Sequence, residues 1–121
     1  MRAYDADWIS LADSISNRSS SKQQLGAVLV KNKDIISKGY NRSISLYKVL
    51  TRYGLLYSIH AEMDALRKLP FGEAEGATLY VSRSGLRTAK PCDACLTIMK
   101  KAGIKRVVFS VNTGMIDSFK L

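Results

Sequence analysis

The chain has 121 residues, 46% of them hydrophobic and 24% charged, which is the size and mixture of one globular domain around one core; a single domain is expected over residues 1–121. The longest apolar runs, Gly26–Val30 and Arg106–Val111, are far too short to cross a bilayer, and the N-terminus lacks the apolar centre of a signal peptide, so membrane and secreted classes are set aside and a soluble, cytoplasmic chain is expected. Nineteen Lys and Arg against ten Asp and Glu give a net charge of +9, which favours polyanionic partners, nucleotide or nucleic acid, although scattered basic residues also serve solubility.

The first element is a helix in "YDADWISLADSIS", where Trp8, Leu11, Ala12 and Ile15 recur at helical spacing and Asp5 is placed to cap the start. The runs "GAVLVK" and "DIISKGY" follow, separated by Asn32 and Lys33, a connection short enough for an antiparallel hairpin. Residues 41–57 show no clean period and read as a long loop with room for a helical turn. From His60 the apolar positions Ala61, Ala65, Leu66 and Leu69 keep the helical period until Pro70 and Gly72 end it. "ATLYVS" reads as a third strand. Pro91 opens another helix, with Leu96, Met99 and Ala102 on one side and Gly103 as its stop, and "KRVVFSV" makes a fourth strand. This order predicts an α/β fold, a mixed sheet with helices on both faces and right-handed crossovers between its parallel strands. The tail after Val111 carries no clear signal.

His60 is the only histidine, and Glu62 stands two places after it. A single histidine near a buried helix face is ordinarily structural. Downstream, Cys92 and Cys95 sit three apart at the opening of the helix begun by Pro91, so both sulfurs can share one face. A helix N-terminus favours thiolate, and one histidine plus two cysteines supply three tetrahedral ligands to Zn²⁺. With no further histidine or cysteine in the chain, one coordination position is left for water, the pattern of catalytic rather than structural zinc. Glu62 can reach that water without binding the metal. Zinc lowers the pKa of its water from roughly 15.7 toward ~7, and a carboxylate that takes the proton and returns it to the substrate suits hydrolytic removal of an amine.

His60-Ala61-Glu62 followed by Pro91-Cys92-Asp93-Ala94-Cys95 resembles the signature of the cytidine deaminase superfamily. The segments "GAVLV", "GYN", "HAEMDAL", "TLYVS", "PCDAC" and "GIKRVVFS" are similar to successive family segments in order, most of all to deoxycytidylate deaminases. The resemblance implies a three-layer cytidine deaminase-like fold and hydrolysis of a cytosine nucleotide, dCMP or a relative, to the uracil nucleotide. It implies that Asn41 binds a sugar hydroxyl, that the Ala61 backbone holds the base edge, that Ser82 lies near the leaving amine, and that the chain forms a homo-oligomer. As a residue alone, Asn41 equally suits a turn after a strand.

Phosphate contacts are expected from Arg42 and Arg52 in the long loop, with Lys48, and from Arg83, Arg87 and Lys90 in "SRSGLRTAK", which is longer than the usual family connection. That basic loop, together with Tyr47, Tyr53 and Tyr57, also keeps open a deaminase acting on tRNA adenosine or single-stranded DNA cytosine. A third reading is a deaminase-like binding protein without turnover. "GYNRSISLYKVL" lacks the glycine and proline loop of many deoxycytidylate deaminases, which argues against allosteric nucleotide control.

Overall fold

The computed structural model describes residues 4–43, 49–51, 54–56, 58–112 and 115–121. A five-stranded sheet runs in the order β2 (Asp34–Tyr40), β1 (Leu25–Lys31), β7 (Thr78–Arg83), β8 (Arg106–Asn112), β9 (Met115–Lys120). Only β7 and β8 are parallel, because α3 (Asp93–Lys101) connects them; the other neighbours are antiparallel. α1 (Asp5–Ser16) covers one face, packing Ile9, Ala12 and Ile15 on Val28, Val30, Tyr80 and Val108. α2 (Ala61–Arg67) and α3 cover the other face, over Ala27, Leu29, Leu79, Val81, Val107 and Phe109. The alternation of β1 and β7 between these two sets is the period-two pleat, and each buried Leu or Val adds about 1.5–3 kcal/mol relative to exposure. The mixed sheet with helices on both faces is as the sequence predicts.

The β1–β2 hairpin turns on Asn32 (φ 54°) and Lys33 (φ 67°), the left-handed pair that a two-residue turn requires. Close helix approach rests on glycine. A Cβ at Gly26 would lie 2.1 Å from the Ala12 carbonyl oxygen, and one at Gly39 would lie 2.4 Å from the Ala65 nitrogen and 2.5 Å from the Ala61 oxygen. Gly39 therefore lets α2 seat directly on β2, which fixes where α2 begins.

Three expectations change. Asp5 does not cap α1; Tyr4 occupies that position without a side-chain cap bond. Asp5 is buried instead, taking hydrogen bonds from Tyr80 Oη at 2.8 Å and Arg106 Nη1 at 3.1 Å and an ion pair from Arg106 Nη2. Pro91 precedes α3 rather than occupying its first turn, since Cys92 is the N-cap. The described parts of the 41–57 segment carry short antiparallel strands, β3 (Arg42–Ser43) with β6 (Ser58–Ile59) and β4 (Val49–Thr51) with β5 (Gly54–Leu56). The tail, on which the sequence is silent, pairs along β8 as the edge strand β9.

Candidate active site

β6 feeds α2 and the loop after β7 feeds α3, and both helices lie on one face of the sheet, so their starts converge. His60 is the N-cap of α2 and Cys92 the N-cap of α3, each with extended backbone (ψ 156° and 165°) and neither using its side chain to cap. The first helical hydrogen bonds run from Asp64 N–H to the His60 carbonyl and from Leu96 N–H to that of Cys92, both at 2.9 Å. The freed imidazole and thiol meet the Cys95 thiol of the first turn of α3. One ligand atom from each of His60, Cys92 and Cys95 lies within 4.8 Å of the others, and His60 Nδ1 is 3.1 Å from Cys95 Sγ. An imidazole and two thiols at this spacing fit tetrahedral zinc with an open position.

Glu62 is 4% exposed and lines a cavity of about 250 Å³ together with His60, Asn41 and Cys92. Gln23, Leu25, Ala89, Lys90 and Pro91 complete the wall; of these, the sequence points to Lys90 and Pro91, and nothing in a lone sequence points to Gln23. Burial is the largest influence on the Glu62 carboxyl and raises its pKa, against its own backbone amide, His60 and the Cys95 thiol. Burial also pushes the Cys95 thiol far up, and the Glu62 carboxylate and Cys92 add to it. A bound dication reverses this preference, since metal ligands must be deprotonated.

Asn41 accepts from Leu25 N–H at 2.8 Å through Oδ1 and donates to the Gln23 carbonyl at 2.6 Å through Nδ2. Each end retains one further hydrogen-bonding position. Ala61 lies between two cavity-lining residues, but its methyl is in the core, so any substrate contact is through its backbone.

Ser82 is a correction. It is fully buried and donates to Asp13 Oδ1 of α1 at 3.0 Å, because the pleat sends residues 80 and 82 to the α1 face and Val81 to the face of the site. Arg42 is committed elsewhere as well, 2.8 Å from Asp64 and stacked 4.8 Å over the Tyr40 ring. Arg83 and Arg87 line a second cavity adjoining the first. Arg52, Lys48, Tyr47, Tyr53 and Tyr57 lie outside the described residues. Asp64 itself was missed; it is fully buried, ties α2 to β2 through the Tyr40 amide and to β3 through Arg42, and pairs with Arg67 and Lys68 at the end of its own helix. Its signal was readable as an acid with basic residues three and four places later on one helix face.

Three layers, with two helix starts presenting an imidazole, two thiols and a buried carboxylate to one cavity, define a metal-dependent hydrolase. A model of the cytidine and deoxycytidylate deaminase zinc-binding region matches residues 3–111, and the chain belongs to the cytidine and deoxycytidylate deaminase family. It is 28% identical to the deoxycytidylate deaminase of Mycobacterium phage D29 over 88% of this chain and 93% of that one. It is 31% identical to the tRNA-specific adenosine deaminase of Aquifex aeolicus over 80% of this chain, spanning 60% of that protein's length. Among solved structures, the dCMP deaminase of cyanophage S-TIM5 in apo form superposes with a TM-score of 0.72 at 25% identity, covering 95% of this chain and 90% of that one. The same phage enzyme in complex with dCMP and dUMP gives 0.68 at 25% identity, over 88% and 81% of the two chains.

Proposed function

We propose that the chain is a single deaminase domain of the cytoplasm that hydrolyses the exocyclic amine of a cytosine nucleotide, dCMP or a close relative, yielding the uracil nucleotide and ammonia. The observation that carries the reading is the convergence of His60, Cys92 and Cys95 within 4.8 Å at a cavity that buried Glu62 also lines. The phage relatives, one of them crystallised with dCMP and dUMP, support the substrate.

His60, Cys92 and Cys95 would hold zinc, which when bound supplies the Lewis acidity that makes water a nucleophile near neutral pH. Glu62 takes a proton from the attacking water and places it on the ring nitrogen beside the attacked carbon. It then moves the remaining hydroxyl proton to the exocyclic nitrogen, the carbon–nitrogen bond breaks, and ammonia leaves as the ring carbonyl forms. Burial raises the Glu62 pKa and a bound dication would oppose that, so the carboxylate can both take and return the proton. Asn41, through its spare positions, takes a sugar hydroxyl, and the backbone at Ala61 takes the base edge.

The test is ammonia release and product mass over deoxycytidine, its mono- and triphosphates, the ribonucleotides, a single-stranded DNA and a tRNA stem-loop. dCMP should win. Absence of turnover on every cytosine nucleotide by zinc-loaded protein refutes the reading. Activity on the strands alone would establish the editing reading, which the Aquifex relative and the net charge of +9 favour, and binding without turnover would establish the non-catalytic one. Light scattering tests the homo-oligomer that the resemblance implies.

A further inference from the structure

A cavity of about 410 Å³, larger than the reaction cavity of about 250 Å³, opens at the far end of the sheet. Val30 of β1 and its register partner Thr78 of β7 line it together with Trp8 and Tyr80. Val30 packs on the α1 face, whereas Leu25, which lines the reaction cavity, packs on the face of α2 and α3. The five residues between them along β1 span about 17 Å at the rise of a strand. The two cavities are therefore on opposite faces and at opposite ends of the sheet.

One side of the larger cavity is aromatic. Trp8 of α1 leans on Tyr80 of β7 with ring centroids 6.3 Å apart. The Tyr80 ring is 1% exposed and its hydroxyl donates to Asp5 at 2.8 Å, which is in turn paired with Arg106, so this wall is fixed from beneath. The other side is cationic: Lys31 and Lys33 of the β1–β2 turn and Lys105 ahead of β8 line it, and the lining among the described residues holds no carboxylate. None of these three lysines is in an ion pair among the described residues, and Lys31 Nζ donates to the Glu73 carbonyl at 3.3 Å. Lys33 stands at φ 67°, in the left-handed region where the second residue of such a turn is ordinarily glycine. Charge placed for solubility has no need of a strained position. An aromatic wall facing three ammonium groups suits a planar ring that carries a phosphate, the ring stacking on Trp8 and the phosphate taking the lysines. The volume falls among those of small-molecule sites, roughly 300–1,000 Å³.

We propose that this cavity is a second binding site, separate from the reaction cavity, for a small aromatic phosphate, with the ring against Trp8 and the phosphate on Lys31, Lys33 and Lys105. Trp8 is the only tryptophan of the chain, so its emission reports on this cavity directly. Zinc-loaded wild type, K33G and K31Q/K105Q are titrated with AMP, phenyl phosphate, adenosine, inorganic phosphate and a short deoxyadenosine oligonucleotide. AMP and phenyl phosphate should change the Trp8 emission saturably, while adenosine and inorganic phosphate, each carrying half of the recognition, should bind more weakly by about 10-fold or more. Tighter binding of AMP assigns the site to nucleotides, and equal or tighter binding of phenyl phosphate assigns it to aryl phosphates at large. K33G should weaken AMP binding by about 10-fold, raise the urea midpoint of unfolding because glycine relieves the turn, and leave kcat/KM for dCMP unchanged. K31Q/K105Q should weaken binding at least as much with the turn intact. The proposal is overturned by the lack of a saturable response below roughly 10 mM, by equal affinity for inorganic phosphate alone, by tighter binding of the oligonucleotide than of AMP, or by wild-type affinity in both lysine variants.

Discussion

Asp64→Asn isolates what the buried carboxylate contributes, because the amide keeps the shape and removes the charge. Asp64 has no exposed side-chain surface, while Arg42, Arg67 and Lys68, at 2.8, 2.8 and 3.2 Å, are 36, 33 and 44% exposed. Burial alone would raise the Asp64 pKa, but the Arg67 hydrogen bond, the Tyr40 amide, Lys68 and Arg42 outweigh it and hold the pKa below the ordinary carboxylate value. Each partly hydrated cation then loses about 0.5–1 kcal/mol when the carboxylate becomes an amide, some 1.5–3 kcal/mol together; the Tyr40 N–H keeps an acceptor when the amide oxygen takes the Oδ2 place, which turns the amide nitrogen toward the Arg42 and Arg67 donors. A depressed native pKa means that this stability is present above the unfolded value of ~3.9 and is lost as pH falls through the native one. Urea unfolding of both proteins at pH 7, 5 and 3 measures it. The gap between wild type and variant should be full at pH 7 and 5 and should narrow below about pH 4. A gap that is equal at pH 7 and 3, or absent at pH 7, refutes the assignment of net favourable charge to this cluster.

Glu62→Gln should retain zinc by elemental analysis and lower kcat by about 10²- to 10⁴-fold; a near wild-type rate would show that the proton moves by another route. Cys92→Ser should lose tight zinc, read by chelator competition, and unchanged affinity would remove Cys92 from the ligand set. Gly39→Ala forces α2 off β2, because its Cβ would sit 2.4 Å from a backbone nitrogen. We expect a loss of about 1–3 kcal/mol with weaker zinc binding, since the start of α2 carries His60; wild-type melting and zinc affinity together would show that β2 does not set that start.

The His60, Cys92 and Cys95 cluster was legible because its residue types are rare in the chain, and Glu62 because it stands two places after the single histidine. One histidine and two cysteines leave few ways to assemble a three-ligand site. The inner strands β1, β7 and β8 were legible as short apolar runs, because both of their faces are buried, and the helices through period. What failed did so for geometric reasons. Ser82 follows the "TLYV" run at the end of the strand that leads toward the site, but one step of the pleat turns it toward Asp13. Asp5 has the composition of a cap, yet Arg106, 101 residues away in sequence, takes it as a buried partner. Strand β9 alternates exposed and half-buried positions, as an edge strand does, which leaves little hydrophobic contrast to detect; the "NTG" after Val111 was the available turn signal.

The site also shows why this fold needs a cation. Glu62 and Cys95 are buried on the same face as Ala61, Met63, Leu66 and Met99, and burial pushes both groups toward their neutral forms. Hydrolysis requires the opposite, a thiolate pair and a carboxylate ready to accept a proton. A dication held by His60, Cys92 and Cys95 would supply the charge that makes ionisation favourable, while the apolar packing of α2 and α3 on the sheet bears the cost of desolvation. The chemistry therefore belongs to neither helix alone. It depends on Gly39 holding α2 and on the core around Met99 holding α3, so that both starts meet one ion at one wall of the cavity.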